Sequence, residues 1–274
     1  MTDPQLIQPT GFHLCLSSDW RVSAVSANLG DFLPVTADKA LGEPITALFH
    51  DDAIHDIRNR MALLRSDEAV EHLMRVSLTD NGLMLDLSIF RDGKDYAIDA
   101  EPSDGHAFGD TTAIVEGMVA RVAGSDPVSI GNEAARQLRA LTGFDRVLVV
   151  GGGASLGQSI RPGQDEFEPA RLEADVAPLA ITDSRAEPVS ILSHRGGPSH
   201  STLRVASEGE ALVIESLNAR AALIMPLLRN GRTWGHIGCY HGAARHIGVE
   251  RRSVAGLFSR FISLQLEVAE LRTR

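Results

Sequence analysis

Two thiols, three regularly spaced histidines and one glycine-rich run are the residues of this chain whose types and spacing could do chemistry. A nucleophilic cysteine needs exposure and thiolate character. Cys15 stands between Leu14 and Leu16 in an alternating run, so the expectation for it is a small buried hydrophobe. Cys239 lies in a second alternating run, "TWGHIGCYH", and two cysteines are too few for a disulfide framework. His236, His241 and His246 recur every five residues. On a strand that spacing alternates faces, so the three do not converge on one metal. His194 and His200 flank Gly196–Gly197 in a patternless stretch and are expected in solvent. "GGGASLG" at 151–157 invites a phosphate-loop reading, but it lacks the closing Lys-Ser/Thr and a following helix. A hairpin turn is expected there. No nucleophile elbow, Ser–His–Asp ordering or paired carboxylates on a helix can be argued. The sequence therefore supports neither catalysis nor a metal site.

The elements around these residues divide in two. "GFHLCLS" and "WRVSAVS" alternate as two strands with Ser18–Asp19 as their turn. "ADKALGEPITALF" and "DDAIHDIRNRMALLRS" read as short helices. The second carries Ile54, Ile57, Met61 and Leu64 at three- and four-residue spacing, with Asp51 and Asp52 at its N-terminus. Three strands follow, "EHLMRVSLT", "GLMLDLSIF" and "DYAIDAEP", the last two a hairpin across Asp92–Gly93. This is an antiparallel α+β domain of the PAS type. "SDGHAFGDT" at 103–111 has no pattern and sets the boundary, giving domains 1–104 and 105–274. Beyond it come two amphipathic helices, strands from "DRVLVV" onward, a long irregular stretch at 183–207, a hairpin through "RNGR" and a closing helix from about Gly248. That order describes a GAF domain.

A length of 274 residues suits two domains, and 43% apolar residues can build two cores. A net charge of −10 lacks the basic footprint of a nucleic-acid binder. No window reaches the ~18 uncharged apolar residues of a membrane span and no signal peptide precedes Leu6, so a soluble, cytoplasmic protein is expected.

"IQPTG" (7–11), "SANLGDFL" (26–33), "LTGFDRVLV" (141–149) and "WGHIGCYH" (234–241), in this order, resemble the PAS–GAF half of bacterial phytochromes. Thr10 replaces the usual His of that opening, and the family string "LWGLIACHH" corresponds to Thr233–His241. The resemblance covers nearly the whole chain. It implies a figure-of-eight knot in which Ile7, Gln8 and Pro9 pass through a lasso formed by the irregular 183–207 stretch. The other reading makes Ile7 an ordinary hydrophobic plug. The resemblance also implies a linear tetrapyrrole in the GAF pocket, held by a cysteine. Neither attachment position has one: the six residues before Ile7 hold none, and the other position is Gly209. Cys239 matches a family cysteine that is not the attachment site. The family's "PASDIP" string is absent, and "EADVAP" leaves Asp175 as its only substitute. Glu210 and Tyr240 stand where the family has pocket histidines, with His241 the second position of that pair. Arg161, Arg171 and Arg204 are candidate partners for bilin propionates. These departures imply a pocket no longer built for bilin, so no cofactor is expected. A biliverdin held noncovalently is the alternative.

Val254, Leu257, Phe261, Leu264, Val268 and Leu271 follow a 3-4-3-4-3 spacing, an a/d seam that wants a partner helix. The expectation is a parallel homodimer; packing back on the chain's own sheet is the alternative. In similar sensors such helices carry signals into a histidine kinase or another output domain. No kinase boxes occur here, so the output is expected beyond Arg274 or on another protein. Three functions remain: a bilin-free sensory module, a photoreceptor with noncovalent bilin, and a pure dimerisation scaffold.

Overall fold

Each element has to bury one face, and the apolar period of the sequence selects which. A computed structural model describes residues 5–67, 69–105, 109–122, 126–164, 177–193 and 201–273. In chain order the strands are β1 (Leu6–Ile7), β2 (Phe12–Leu16), β3 (Val22–Ser26), β4 (Val70–Ser77), β5 (Met84–Asp92), β6 (Asp95–Pro102), β7 (Arg146–Gly151), β8 (Ala154–Ile160), β9 (Leu179–Ile181), β10 (Val189–Ser193), β11 (Ala221–Arg229) and β12 (Arg232–His241). The helices are α1 (Ala37–Ala40), α2 (Asp51–Met61), α3 (Thr111–Ala120), α4 (Pro127–Thr142), α5 (Glu208–Ser216) and α6 (Val249–Thr273). They fall into two compact units: Met1–His106 with Ala186–Val205, and Ala107–Arg185 with Ala206–Arg274.

The first unit is an antiparallel sheet in the order β1-β10-β3-β2-β6-β5-β4. Strand alternation puts Phe12, Leu14 and Leu16 on one face, where they pack with Ile54 and Ile57 of α2 and with Leu87 and Ile98. Each such fully buried side chain contributes about 1.5–3 kcal/mol. The β5–β6 hairpin pairs Asp92 with Asp95, as its turn residues imply. The helix expected over 37–49 breaks into α1 and a 3₁₀ turn at Ile45–Ala47. Gly42 there adopts φ +85° and Pro44 has no N–H to donate, so one continuous helix cannot form.

A strand stands where the irregular 183–207 stretch showed none. β10 pairs with β3 on one side and with β1 on the other, Ile7 opposite Val189. The far edge of Ile7 forms a bridge with Arg204, and the Gln8 amide donates to the Leu203 carbonyl at 2.8 Å. The backbone of Ile7–Gln8 is thus hydrogen-bonded on both sides by the 186–205 segment. Gly11 follows directly. A β-carbon at that position would meet the Ala100 carbonyl at 2.2 Å, so only glycine fits.

The second unit is a five-stranded antiparallel sheet, β8-β7-β12-β11-β9. One face carries α3, α4 and α6 over Val147, Val149, Leu223 and Ile237. α4 begins with Asp126 accepting from the Val128 and Ser129 amides and with Pro127 in its first turn. The glycine-rich run is the β7–β8 connection, with Gly152 and Gly153 at positive φ and no helix after it.

The 3-4 pattern of α6 resolves into two stripes. Val254, Phe258, Ile262 and Leu266 are fully buried in the core of this unit. Leu257, Leu264, Val268 and Leu271 remain exposed, with Leu264 at 61% and Leu271 at 66%, while Phe261 packs at the margin. Val254 therefore faces inward and leaves the exposed stripe.

Candidate functional site

The other face of the second sheet lies under α5, whose start is a capping box. Ser207 Oγ accepts from the Glu210 amide, and Glu210 Oε2 accepts from the Ser207 amide at 2.8 Å. The carboxylate that replaces a family histidine is thus engaged in starting a helix. Val213 and Ile214 of α5 then pack onto Leu148, Ile181, Ile224 and Tyr240 of the sheet.

Tyr240 is the largest fully buried side chain in the protein's described core. Its ring lies down along its own strand: a β-carbon on Gly238 would stand 2.4 Å from the phenol oxygen. The two residues belong together. Where the family string has Ala and His, this chain has Gly238 and Tyr240, and the smaller residue makes room for the larger ring. Burial, with the nearby Glu210 carboxylate acting the same way, pushes the phenol well above its ordinary range. It stays neutral. An aromatic of this size buries 150–250 Å², and here it packs with Leu148, Ile181, Val213, Ile214 and Ile224.

His236 shares this face, at the position of a leucine in the family string. It is 3% exposed, and its Nε2 has no hydrogen-bond partner among the described residues. Burial pulls the imidazole down to about 4. His241, one residue on from Tyr240, points the opposite way. It stacks on Phe144 with ring centroids 5.7 Å apart, and its Nδ1 lies 2.7 Å from Asp145 Oδ2, poorly aligned as a hydrogen bond. Burial lowers its pKa, against the pull of Asp145. Asp145 is itself partly buried, yet the Gly242 amide, His241 and Arg161 hold its carboxyl below the usual range. Arg161 is thereby committed to an ion pair. Cys239 is buried, and burial pushes its thiol far up, which removes it as a nucleophile.

The structure thus brings Glu210 and Tyr240 to one face and sends His241 to the other. Arg204 belongs to the first unit, where it bridges Ile7. Asp175, Arg171, His194 and His200 lie outside the described residues. The sequence signal for the Gly238–Tyr240 exchange was present in the string itself, but a small-for-large swap two residues apart reads as packing only once the ring's direction is known.

Residues 1–103 match the family profile of the PAS fold, and residues 126–266 match that of the GAF domain. The class is therefore a PAS domain followed by a GAF domain. The chain is 22% identical, over 97% of its length, to cyanobacterial phytochrome B from a Nostoc species. It spans 39% of that relative's length. Among solved structures it is similar to the chromophore-binding domain of a Stigmatella aurantiaca bacteriophytochrome (TM-score 0.82, 19% identity, 96% of each chain). It is similar also to a bacteriophytochrome from R. palustris (TM-score 0.85, 21% identity, 98% of this chain and 60% of the other). The chain therefore joins a PAS fold to a member of the GAF domain family, and over nearly its whole length it is similar to phytochromes.

The state of His236 makes a pH test. Folded, the group stays neutral down to about 4, whereas unfolded it takes up a proton below about 6.5. Its contribution is present above pH ~6.5 and is lost as pH falls through that window. His236→Leu, which restores the family residue, should remove up to about 3 kcal/mol of the stability loss between pH 7 and pH 4. Urea-unfolding midpoints of both proteins at the two pH values measure it; parallel curves would show that the buried imidazole is not neutral.

Proposed function

We propose that this chain is the input half of a phytochrome-like signalling protein, working without a bound bilin as a homodimer. The observation that carries the first part is Tyr240 lying over Gly238, which fills the sheet face under α5 with the chain's own ring. Glu210 in a helix cap and His241 on the opposite face leave that side without the two family histidines. The relatives named as chromophore-binding domains make a noncovalent biliverdin the second reading. Neither family attachment position in residues 1–274 holds a thiol. Incubation with biliverdin followed by zinc-induced fluorescence of the denatured band should therefore show no adduct, and a fluorescent band at the chain's mass would overturn this.

The domain division we adopt is PAS over 1–104 and GAF over 105–274. The pairing of Ile7 and Gln8 with both limbs of 186–205 supports the figure-of-eight crossing of Ile7, Gln8 and Pro9. No catalysis is assigned to these residues. The histidine kinase or other output follows Arg274 or acts in trans. Among the described residues no helix is long and apolar enough to cross a membrane, which is in keeping with a cytoplasmic sensor.

The dimer rests on the exposed stripe Leu257–Leu264–Val268–Leu271 of α6. Those four side chains cover about four turns of one helix face, and pairing with the same stripe of a second copy removes them from water. A charge in the middle of that seam would be desolvated and unpaired. Leu264→Glu should shift the protein from dimer to monomer in light scattering at micromolar concentration, with both domains folded. A monomeric parent, or a dimeric variant, would leave the stripe without this role.

A further inference from the structure

The second face of the first unit's sheet carries a buried polar cluster beside Cys15, Ala24, Phe90 and Ala97. His13 on β2 and Asp99 on β6 are direct cross-strand partners, both fully buried. His13 Nδ1 sits 2.6 Å from Asp99 Oδ1, and on the other side of the ring Nε2 sits 3.1 Å from Cys15 Sγ. The order thiol, imidazole, carboxylate has the outline of a catalytic triad. Its protonation state is the reverse of one. Burial raises the Cys15 thiol, and the ring that would have to act as its base already carries its proton at neutral pH. The thiol is 2% exposed, so no substrate reaches it.

What Asp99 does hold is the far limb of the 186–205 segment. Ser201 Oγ donates to its carboxylate at 3.0 and 3.1 Å, the Thr202 amide at 2.5 Å and Thr202 Oγ1 at 2.8 Å. Counting the His13 ring, donors from two separate stretches of chain converge on one buried carboxylate. Without a counter-charge, burying that carboxylate would be costly; with an imidazolium beside it the cluster is neutral. Two residues further on, the Leu203 and Arg204 carbonyls accept from Gln8, through its amide and through Nε2 at 3.0 Å.

We propose that His13, Asp99, Ser201 and Thr202 form an electrostatic latch: the His13 imidazolium pairs with the buried Asp99 carboxylate, and that carboxylate holds residues 201–204 down over Ile7–Gln8. Burial works against the charge on His13, but the Asp99 hydrogen bond and charge outweigh it and carry the ring up to about 10. Among the described residues, the titratable groups near the pair are Cys15 on its own strand, Glu101 two positions along β6 on the same face, and Asp92, whose charge acts on the thiol. A folded-state value above the unfolded 6.5 means the contribution is complete below pH ~6.5 and is lost as pH rises toward 10. The latch is closed through the neutral range and opens on the alkaline side. Thr202 lies five residues before Ser207, the cap of α5, so release lengthens the free chain leading into that helix.

The test uses the intact chain and two variants. Histidine ¹⁵N NMR at pH 7.5 should show both His13 ring nitrogens protonated. Asp99→Asn should turn that ring neutral and speed hydrogen exchange of the Gln8 and Thr202 amides at least tenfold, with the β5–β6 amides unchanged. The Ser201→Ala/Thr202→Val pair removes the limb's side-chain donors and leaves the ion pair. It should speed exchange at Gln8 while His13 stays protonated, and it decides the matter independently of how Asp99→Asn folds. A neutral His13 in the parent, or unchanged Gln8 exchange in the double variant, overturns the latch.

Discussion

The backbone of Ile7 and Gln8 is buried, so every N–H and C=O on it must find a partner. Both edges are satisfied by one distant segment: Val189 on one side, Leu203 and Arg204 on the other. The rest of the first unit is organised by that constraint. β10 has to leave the second domain's run of sequence and join the first unit's sheet between β1 and β3. Residues 201–204 have to return along the other edge, and Gly11 has to lack a side chain so that β2 can lie against the Ala100 carbonyl. His13 and Asp99 are buried beside that segment and pair with one another.

The second unit packs one face of its sheet under α5 with the chain's own side chains. Gly238 and Tyr240 exchange volume along one strand, Glu210 is taken into a helix cap, and His236 puts a neutral ring where an apolar residue would fit. On the proposed reading, the changes at Gly238, Tyr240 and Glu210 favour packing under α5 over contacts to a charged ligand. The exposed stripe of α6 lies on the opposite side of the same helix from Phe258 and Ile262, so packing inward and association outward use different residues.

Much of this was legible in the sequence. The β5–β6 and β11–β12 hairpins announce themselves through Asp92–Gly93 and Asn230–Gly231, and α2 through Ile54, Ile57 and Met61, because local period and turn chemistry determine them. β10 was not legible: "VSILS" is short and partly exposed, and its partners are more than 160 residues away. Nor was the His13–Asp99 pair, since a cross-strand neighbour 86 residues distant leaves no local trace. Cys15 was correctly expected to be buried, but its sulfur faces an imidazole as well as Ala24 and Ala97. On α6 the spacing of Val254 and Leu257 is equally apolar in both stripes, and only the packing of α6 on the sheet shows which one points inward. The direction of Tyr240 is likewise a property of the ring's rotamer, which no spacing encodes.

The central claim is that the GAF sheet face is closed by the chain's own side chains. A titration of the purified protein with biliverdin, followed in the red absorbance band and by calorimetry, addresses it most directly. The account predicts the spectrum of free biliverdin at every ratio and no saturable heat. A red-shifted, saturating band at one bilin per chain would contradict it.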